Sequence, residues 1–448
     1  MTDPLSLTRR NFLQTSAAAG AVASLPASVL AGAAGANDRL NIAIVGVGTR
    51  GGQLMTPLVE WASNDTHNIR VTRVSEIYTK RLDRGLDRVA KAGGKAEGAR
   101  DYRAVLDDKD VDLVVVATPD HWHHKIASEA LKAGKHVYCE KPMCHTIDQA
   151  KDLVKVVGET GKKLQVGVQG TSLQVADKIR EHIQKNGIGK LVLAQSSLTR
   201  NNVAGQWRDY GEYDADAKPG PDLDWDQFLG HQYGLAPKRD WHAPRYFQYR
   251  CYWDYSGGVA TDLFFHQLAF LVKAMGVGMP RQVVAAGGIY CFGEDSTTPQ
   301  GAPDDRENPD LFNMFVDYPG GPTVTLLGSQ VNDVALTELI GGHDATIIVD
   351  RKNDSAQVIP QKSIGRIKET ITLKGDGAMN ERVHFANLFD AIRDGAALNC
   401  PVELGYKVNV PIAMGVMAYR QKTAIGWDAK GEKAVPASTL MDCGCEDE

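Results

Sequence analysis

The chain has 448 residues, 43% of them apolar and 23% charged, with a net charge of −5. That composition is ordinary for a folded globular protein, and Lys and Arg are scattered rather than clustered, so nothing points to nucleic acid. The seven cysteines form no disulfide framework: Cys139 and Cys144 flank one motif, Cys251, Cys291 and Cys400 stand alone, and Cys443 and Cys445 share an acidic tail that is either free or a weak metal site.

In chain order, the first feature is Thr8-Arg9-Arg10-Asn11-Phe12-Leu13-Gln14, followed by an Ala/Gly/Ser-rich stretch to Ala34. Ala34-Gly35-Ala36 offers a small-x-small cleavage site, which makes Asn37 the expected mature N-terminus. The stretch is rich in small residues and broken by Pro26, unlike a membrane anchor, which needs about 20 strongly apolar residues. Residues 1–36 therefore read as a twin-arginine signal peptide, with the twin-arginine export machinery as partner and a periplasmic destination.

Residues 40–46 form a short apolar run ending in glycine, expected as a buried parallel strand. A helix is predicted over 51–62, a strand over 70–75, a helix over 80–92 and the clearest buried strand over 111–117. A helix over 124–133, a strand over 136–139, a helix over 146–161 and a strand over 164–167 follow. This alternation predicts a parallel, doubly wound sheet. Beyond it, longer alternating strands are expected at 191–199, 282–292, 313–318, 323–330, 345–349 and 369–373, with long loops over 202–250 and 293–311. The second half thus reads as an open, mostly antiparallel sheet. The expected segments are 1–36 (signal), 37–166 (NAD(P)-binding domain) and 167–448 (substrate and oligomerisation domain).

Chemistry concentrates in four places. Gly46, Gly48 and Gly51 follow a strand and open a helix, with Thr49 and Arg50 between them, the context of a dinucleotide-binding loop. Glu76, ending the second strand, is placed for an adenosine ribose and favours NAD, while Lys80 and Arg81 leave NADP open. Thr118-Pro119-Asp120-His121-Trp122-His123-His124 ends the strongest strand; it reads as cleft lining that includes His121 and His123, the alternative being a metal site. Glu140-Lys141-Pro142 ends the next strand and sets a lysine at the same crevice, either as a hydrogen-bonding acid or as a surface residue. Finally, Asp262 and His266 lie four apart on a predicted helix from Thr261, as a base with its carboxylate or as a plain ion pair. Upstream of them, rings and guanidinium groups including Arg245, Tyr252 and Trp253 suit either a sugar or internal packing.

Taken together, these motifs resemble the Gfo/Idh/MocA oxidoreductases, from about Leu40 to the C-terminus. The resemblance implies a Rossmann domain followed by an α/β domain whose open sheet makes a dimer or tetramer. It implies hydride transfer between a nicotinamide cofactor and a hydroxyl-bearing carbon of a sugar or cyclitol. Lys141 matches the family's catalytic lysine, Asp262 its acidic partner and His266 its catalytic histidine. The stretch Gly167-Val168-Gln169-Gly170-Thr171 departs from the family pattern, and substrate contacts there do not carry over.

The sequence therefore predicts an exported NAD(P)-dependent oxidoreductase with a tightly held cofactor, a carbohydrate substrate, no metal, no nucleic-acid partner and a homo-oligomeric state. A redox-assisted glycosidase or epimerase that recycles NAD within each turnover, and a non-catalytic sugar-binding protein, are the alternatives.

Overall fold

The computed structural model describes residues 39–441 except Tyr210. The leader, its cleavage site and Cys443 and Cys445 lie outside the described residues.

The first sheet is built from β1 (Leu40–Val45), β2 (Ile69–Ser75), β3 (Glu97–Ala99), β4 (Leu113–Val116), β5 (His136–Glu140) and β6 (Leu164–Gly167). They lie in the order β3-β2-β1-β4-β5-β6 and every neighbouring pair is parallel. That is the strand order of a Rossmann domain, and its crevice opens where the order reverses, between β1 and β4. The central strands are apolar along their whole length because helices cover both faces; Ile42, Ile44, Val114 and Val115 are wholly buried. The crossovers run through α1 (Thr49–Ser63), α2 (Thr79–Lys91), α3 (Asp120–Lys132) and α4 (Ile147–Thr160). Helix α4 is set by a capping box in which Thr146 and Gln149 exchange bonds.

After α5 (Gln174–Gln184) the chain enters an eleven-stranded sheet. Its strands are β7 (Leu191–Asn201), β8 (Gln282–Gly288), β9 (Leu311–Asp317), β10 (Thr323–Ser329), β11 (Val331–Asn332), β12 (Leu339–Gly342), β13 (Ala345–Asp350), β14 (Ser355–Pro360), β15 (Ile371–Lys374), β16 (Ile425–Asp428) and β17 (Lys433–Pro436). Only β7 and β10 pair in parallel, so the sheet is mixed and mostly antiparallel. Helices α6 (Phe265–Met275), α7 (Glu381–Asp394) and α8 (Val402–Gln421) follow in chain order. Helices α5, α6 and α8 pack together with one face of this sheet, while Leu193, Val284, Phe315 and Ile359 stay more than a third exposed on its strands.

Several elements differ from expectation: helices α7 and α8 were not predicted, and the 202–250 loop holds short helices at Trp225–Leu229 and Ala243–Phe247. The strand predicted over 282–292 stops at Gly288 because Asp310 accepts the backbone N–H groups of Tyr290, Cys291 and Phe292, taking them out of the ladder. Helix α3 begins at Asp120 rather than near His124, so the histidine-rich motif is its first turn. The helix predicted from Thr261 starts one residue earlier and opens as a π-turn, Ala260–Phe264, before α6.

Candidate active site

The glycine loop is shaped by backbone contact. Gly46 sits at φ +86°, and a Cβ there would lie 2.8 Å from the Ala117 carbonyl oxygen on the neighbouring strand. A Cβ on Gly51 would stand 1.9 Å from the Gly46 carbonyl oxygen. Gly48 meets only the far end of Arg81, at 3.5 Å, which leaves its backbone open to the cleft. Glu76 accepts the Val47 N–H at 3.0 Å and the Tyr78 N–H at 3.2 Å, so it braces the loop as well as facing the cleft.

The cleft over this loop has a volume of about 920 Å³. Gly46, Gly48, Thr49, Arg50, Glu76, Arg81, Arg100, Thr118 and Pro119 all contribute to its lining. Arg50 bonds Glu140 at 2.9 Å and Glu381 of α7 at 2.8 Å, which ties three elements together at the mouth. Two observations fit a dinucleotide here. The glycine cradle would be filled by side chains, and Thr118 Oγ1 is buried in the lining without a partner among the described residues. Gly48 and Thr49, through backbone N–H donors at a helix N-terminus, and Glu76, through its carboxylate, would hold the group, with Gly46 shaping the turn.

His121 and His123 lie behind the cleft instead of lining it. His121 Nε2 faces the Phe228 carbonyl at 2.9 Å, and burial pushes this imidazole down to about 3. His123 spans the carbonyls of Pro142 (2.7 Å) and Thr118 (2.8 Å), joining the two turns that carry the site. Trp122, between them, is the side chain that reaches the lining. His124 points to Asp152.

Beyond Arg50 the cleft lining passes to Tyr249 and Arg250 and stops short of a dense charged cluster. Lys141 Nζ donates to Asp262 Oδ1 at 2.6 Å and to the Asp262 carbonyl at 2.7 Å. Arg250 Nε reaches the same Oδ1 at 2.9 Å, and the Trp207 indole N–H bonds Oδ2 at 3.1 Å. Burial would raise the Asp262 carboxyl, but the Lys141 and Arg250 cations outweigh it and hold the group far below the usual carboxylate range. His266 is half-buried and its ring makes no hydrogen bond among the described residues. Burial, then the neighbouring Lys141 ammonium, keeps its imidazole neutral well below the ordinary histidine range. The i,i+4 spacing of Asp262 and His266 does not yield a bonded pair here, since the π-turn alters the helical register and Asp262 is taken by three donors.

A strap from the second domain, residues 211–247, crosses to the first beside the cleft. The Asp214 carboxylate accepts from Tyr78 Oη and Lys80 Nζ, both at 2.7 Å, and Glu212 pairs with Arg84. The Thr79 N–H bonds the Asp222 carbonyl at 2.8 Å, and Gly211 lies against Thr49. From the same segment Gln227, Phe228, Tyr246 and Phe247 close over the cleft, with Arg81 stacked on the last two rings.

The substrate residues expected from sequence fall elsewhere. Arg245 pairs with Asp254 and Glu307 and stacks on Tyr252; Tyr252 Oη bonds Asp305; Trp253 packs on Tyr419 and Arg420. These rings and guanidinium groups satisfy one another, so none lines the cleft. Arg250 belongs to the upstream cluster of rings and cations read from the sequence, but Trp207, Glu381 and Arg351, which bonds the His266 carbonyl, were not expected at the site. Only Glu381 carried a sequence signal: it follows Asn380, a helix N-cap, where an acidic first turn is favoured.

Residues 40–168 match the family model for the Gfo/Idh/MocA oxidoreductases, described as an oxidoreductase family with an NAD-binding Rossmann fold. The N-terminal domain is a Gfo/Idh/MocA NAD-binding domain. Residues 6–26 match the twin-arginine translocation signal. Over 122 residues the chain is 36% identical to glycosyl hydrolase family 109 protein 2 of Shewanella sp. (strain ANA-3), covering 26% of each protein. Over 129 residues it is 30% identical to inositol 2-dehydrogenase of Salmonella typhimurium (strain LT2), covering 29% of this chain and 36% of that protein. The matches thus span about a quarter to a third of these curated relatives. Levoglucosan dehydrogenase in complex with NADH and levoglucosan has the same fold, with a TM-score of 0.62 and 16% identity over 87% of this chain and 99% of that one. The Rossmann sheet and the mixed sheet therefore recur together in a solved structure.

Proposed function

We propose that this protein is an exported NAD-dependent oxidoreductase that acts on a hydroxyl-bearing carbon of a sugar, cyclitol or derivative, and that it keeps its cofactor between turnovers. The observation that carries this reading is Lys141, held on Asp262 beside His266 and joined to the glycine-loop cleft through Arg250, which lines the cleft and bonds Asp262. When bound, the nicotinamide supplies a hydride acceptor or donor at the substrate carbon. His266, neutral at physiological pH, takes the hydroxyl proton on a ring nitrogen. Lys141 uses two of its three N–H donors on Asp262, leaving the third for the substrate oxygen. Asp262 orients Lys141 and balances its charge, and Arg250 extends the same hub towards the cleft.

Retention of the cofactor is supported by the strap, which supplies Phe228, Tyr246 and Phe247 to the cleft lining. It is also supported by the twin-arginine signal, since export of a folded chain lets a cofactor travel with it. We propose the periplasm as the destination. The exposed apolar row Leu193, Val284 and Phe315 on the second sheet supports a homo-oligomer through that face. A second reading, a redox-neutral glycosidase or epimerase, is favoured by the likeness to the family 109 glycosyl hydrolase.

The test is a purified, desalted protein scanned against a panel of sugars and glycosides. Sugar-dependent appearance of the reduced nicotinamide band supports the oxidoreductase; product without net reduction supports the second reading. Saccharide binding with neither outcome would return the protein to a non-catalytic binder.

A further inference from the structure

We infer that Trp207 is a positioning residue for Lys141, acting through Asp262: its indole N–H holds Oδ2, so that Oδ1 alone is presented to the lysine. The inference rests on the catalytic reading of Lys141 proposed above.

Trp207 adopts φ +70°, in the left-handed region that bulky L-residues avoid. Such a conformation persists only where the surroundings over-determine it. Here they do so on both sides. Gly205, at φ +74°, lies so close to Arg306 and Phe292 that a Cβ would meet the Arg306 guanidinium at 2.6 Å. Arg208 is fully buried, and its guanidinium bonds Asp304 at 3.0 Å, Gln248 at 2.7 Å and Tyr252 Oη at 3.2 Å. Gln248 returns a bond to the Arg208 carbonyl at 2.6 Å. A buried ionic clamp of this kind is weak evidence of added stability but does fix geometry.

The clamp delivers one group to the reaction centre. Trp207 is 2% exposed, so its ring is not a platform for a sugar. Its N–H is 3.1 Å from Asp262 Oδ2, while Lys141 and Arg250 both bind Oδ1. Holding Oδ2 fixes the plane of the carboxylate and with it the direction of the Lys141 ammonium. Without that bond the carboxylate is free to turn and offer both oxygens to the two cations, and the third N–H of Lys141 loses its aim.

The test removes the N–H and leaves the shape, by site-specific incorporation of the sulfur isostere 3-benzothienylalanine at position 207, with Trp207→Phe as a second variant. Melting midpoint and bound NAD content should match the wild type. Loss of one bond to a charged group should lower kcat about 10-fold while KM stays within about twofold. A crystal structure of the isostere variant should show the Asp262 carboxylate rotated and Lys141 Nζ displaced. An unmoved carboxylate, or wild-type kcat, overturns the inference and leaves Trp207 as packing. If the wild type turns over no sugar or glycoside, the catalytic reading fails instead, and the carboxylate geometry still decides whether Trp207 sets it.

Discussion

At the residue scale the account rests on Lys141, Asp262 and His266. Lys141→Ala and His266→Ala should each lower turnover by about 10²- to 10⁴-fold, the range for loss of a positioned acid or base, while NAD remains bound. Bound-cofactor absorbance beside steady-state rates checks both parts. The proposed base has a lowered imidazole, so it stays neutral and competent as pH falls through 6.5. The acid limb of kcat should therefore lie below pH 6.5; a limb at or above that value would remove His266 from the role. The glycine loop, Lys141, Asp262 and His266 were legible because motif order survives without a structure. Trp207 was not, since it reaches Asp262 from a segment with no periodicity to read, and Arg250 was read only as one of the upstream cations. Arg245, Tyr252 and Trp253 show the converse: a cluster of rings and cations looks the same in sequence whether it faces a ligand or itself.

At the element scale the site depends on where elements stop. Strands β1, β4 and β5 end at the crevice because glycine, Thr118-Pro119 and Lys141-Pro142 follow them, and these punctuation marks were readable. The end of β8 was not, because it is decided by Asp310, a carboxylate 18 residues beyond Phe292. Helix α8, which carries Pro411 inside it, was not among the predicted elements. The strap was expected only as a loop, yet it supplies Gln227, Phe228, Tyr246 and Phe247 to the cleft lining. Replacing both Glu212 and Asp214 with Ala removes its ionic ties to Arg84, Lys80 and Tyr78. Cofactor should then dissociate several-fold faster, and raised salt should speed release from the wild type more than from the variant. Equal release from both proteins at all salt concentrations would show that the strap is not held by these charges.

At the scale of the whole molecule, Lys141, just beyond β5 of the Rossmann sheet, bonds Asp262 on the π-turn before α6, which packs on the mixed sheet. The histidine content ties this assembly to pH. Burial lowers His121 to about 3 and His384 to about 4 from an ordinary value of 6.5. Between these limits the unfolded chain takes up protons that the folded chain refuses, so stability falls with acidification from about pH 6.5. The slope reaches about 1.4 kcal/mol per pH unit for each histidine. Melting midpoints at pH 7 and pH 5 should therefore differ, and the double variant His121→Gln, His384→Gln should flatten that dependence. The central claim, a hydride exchanged with a cofactor that never leaves, is tested most directly on the exported protein purified without added nicotinamide. The account predicts about one equivalent of NAD per chain, reduced in a single turnover by a cognate sugar in the wild type and left oxidised in Lys141→Ala. A protein that emerges free of nicotinamide, or a Lys141→Ala variant whose cofactor is reduced as fast as the wild type's, would contradict it.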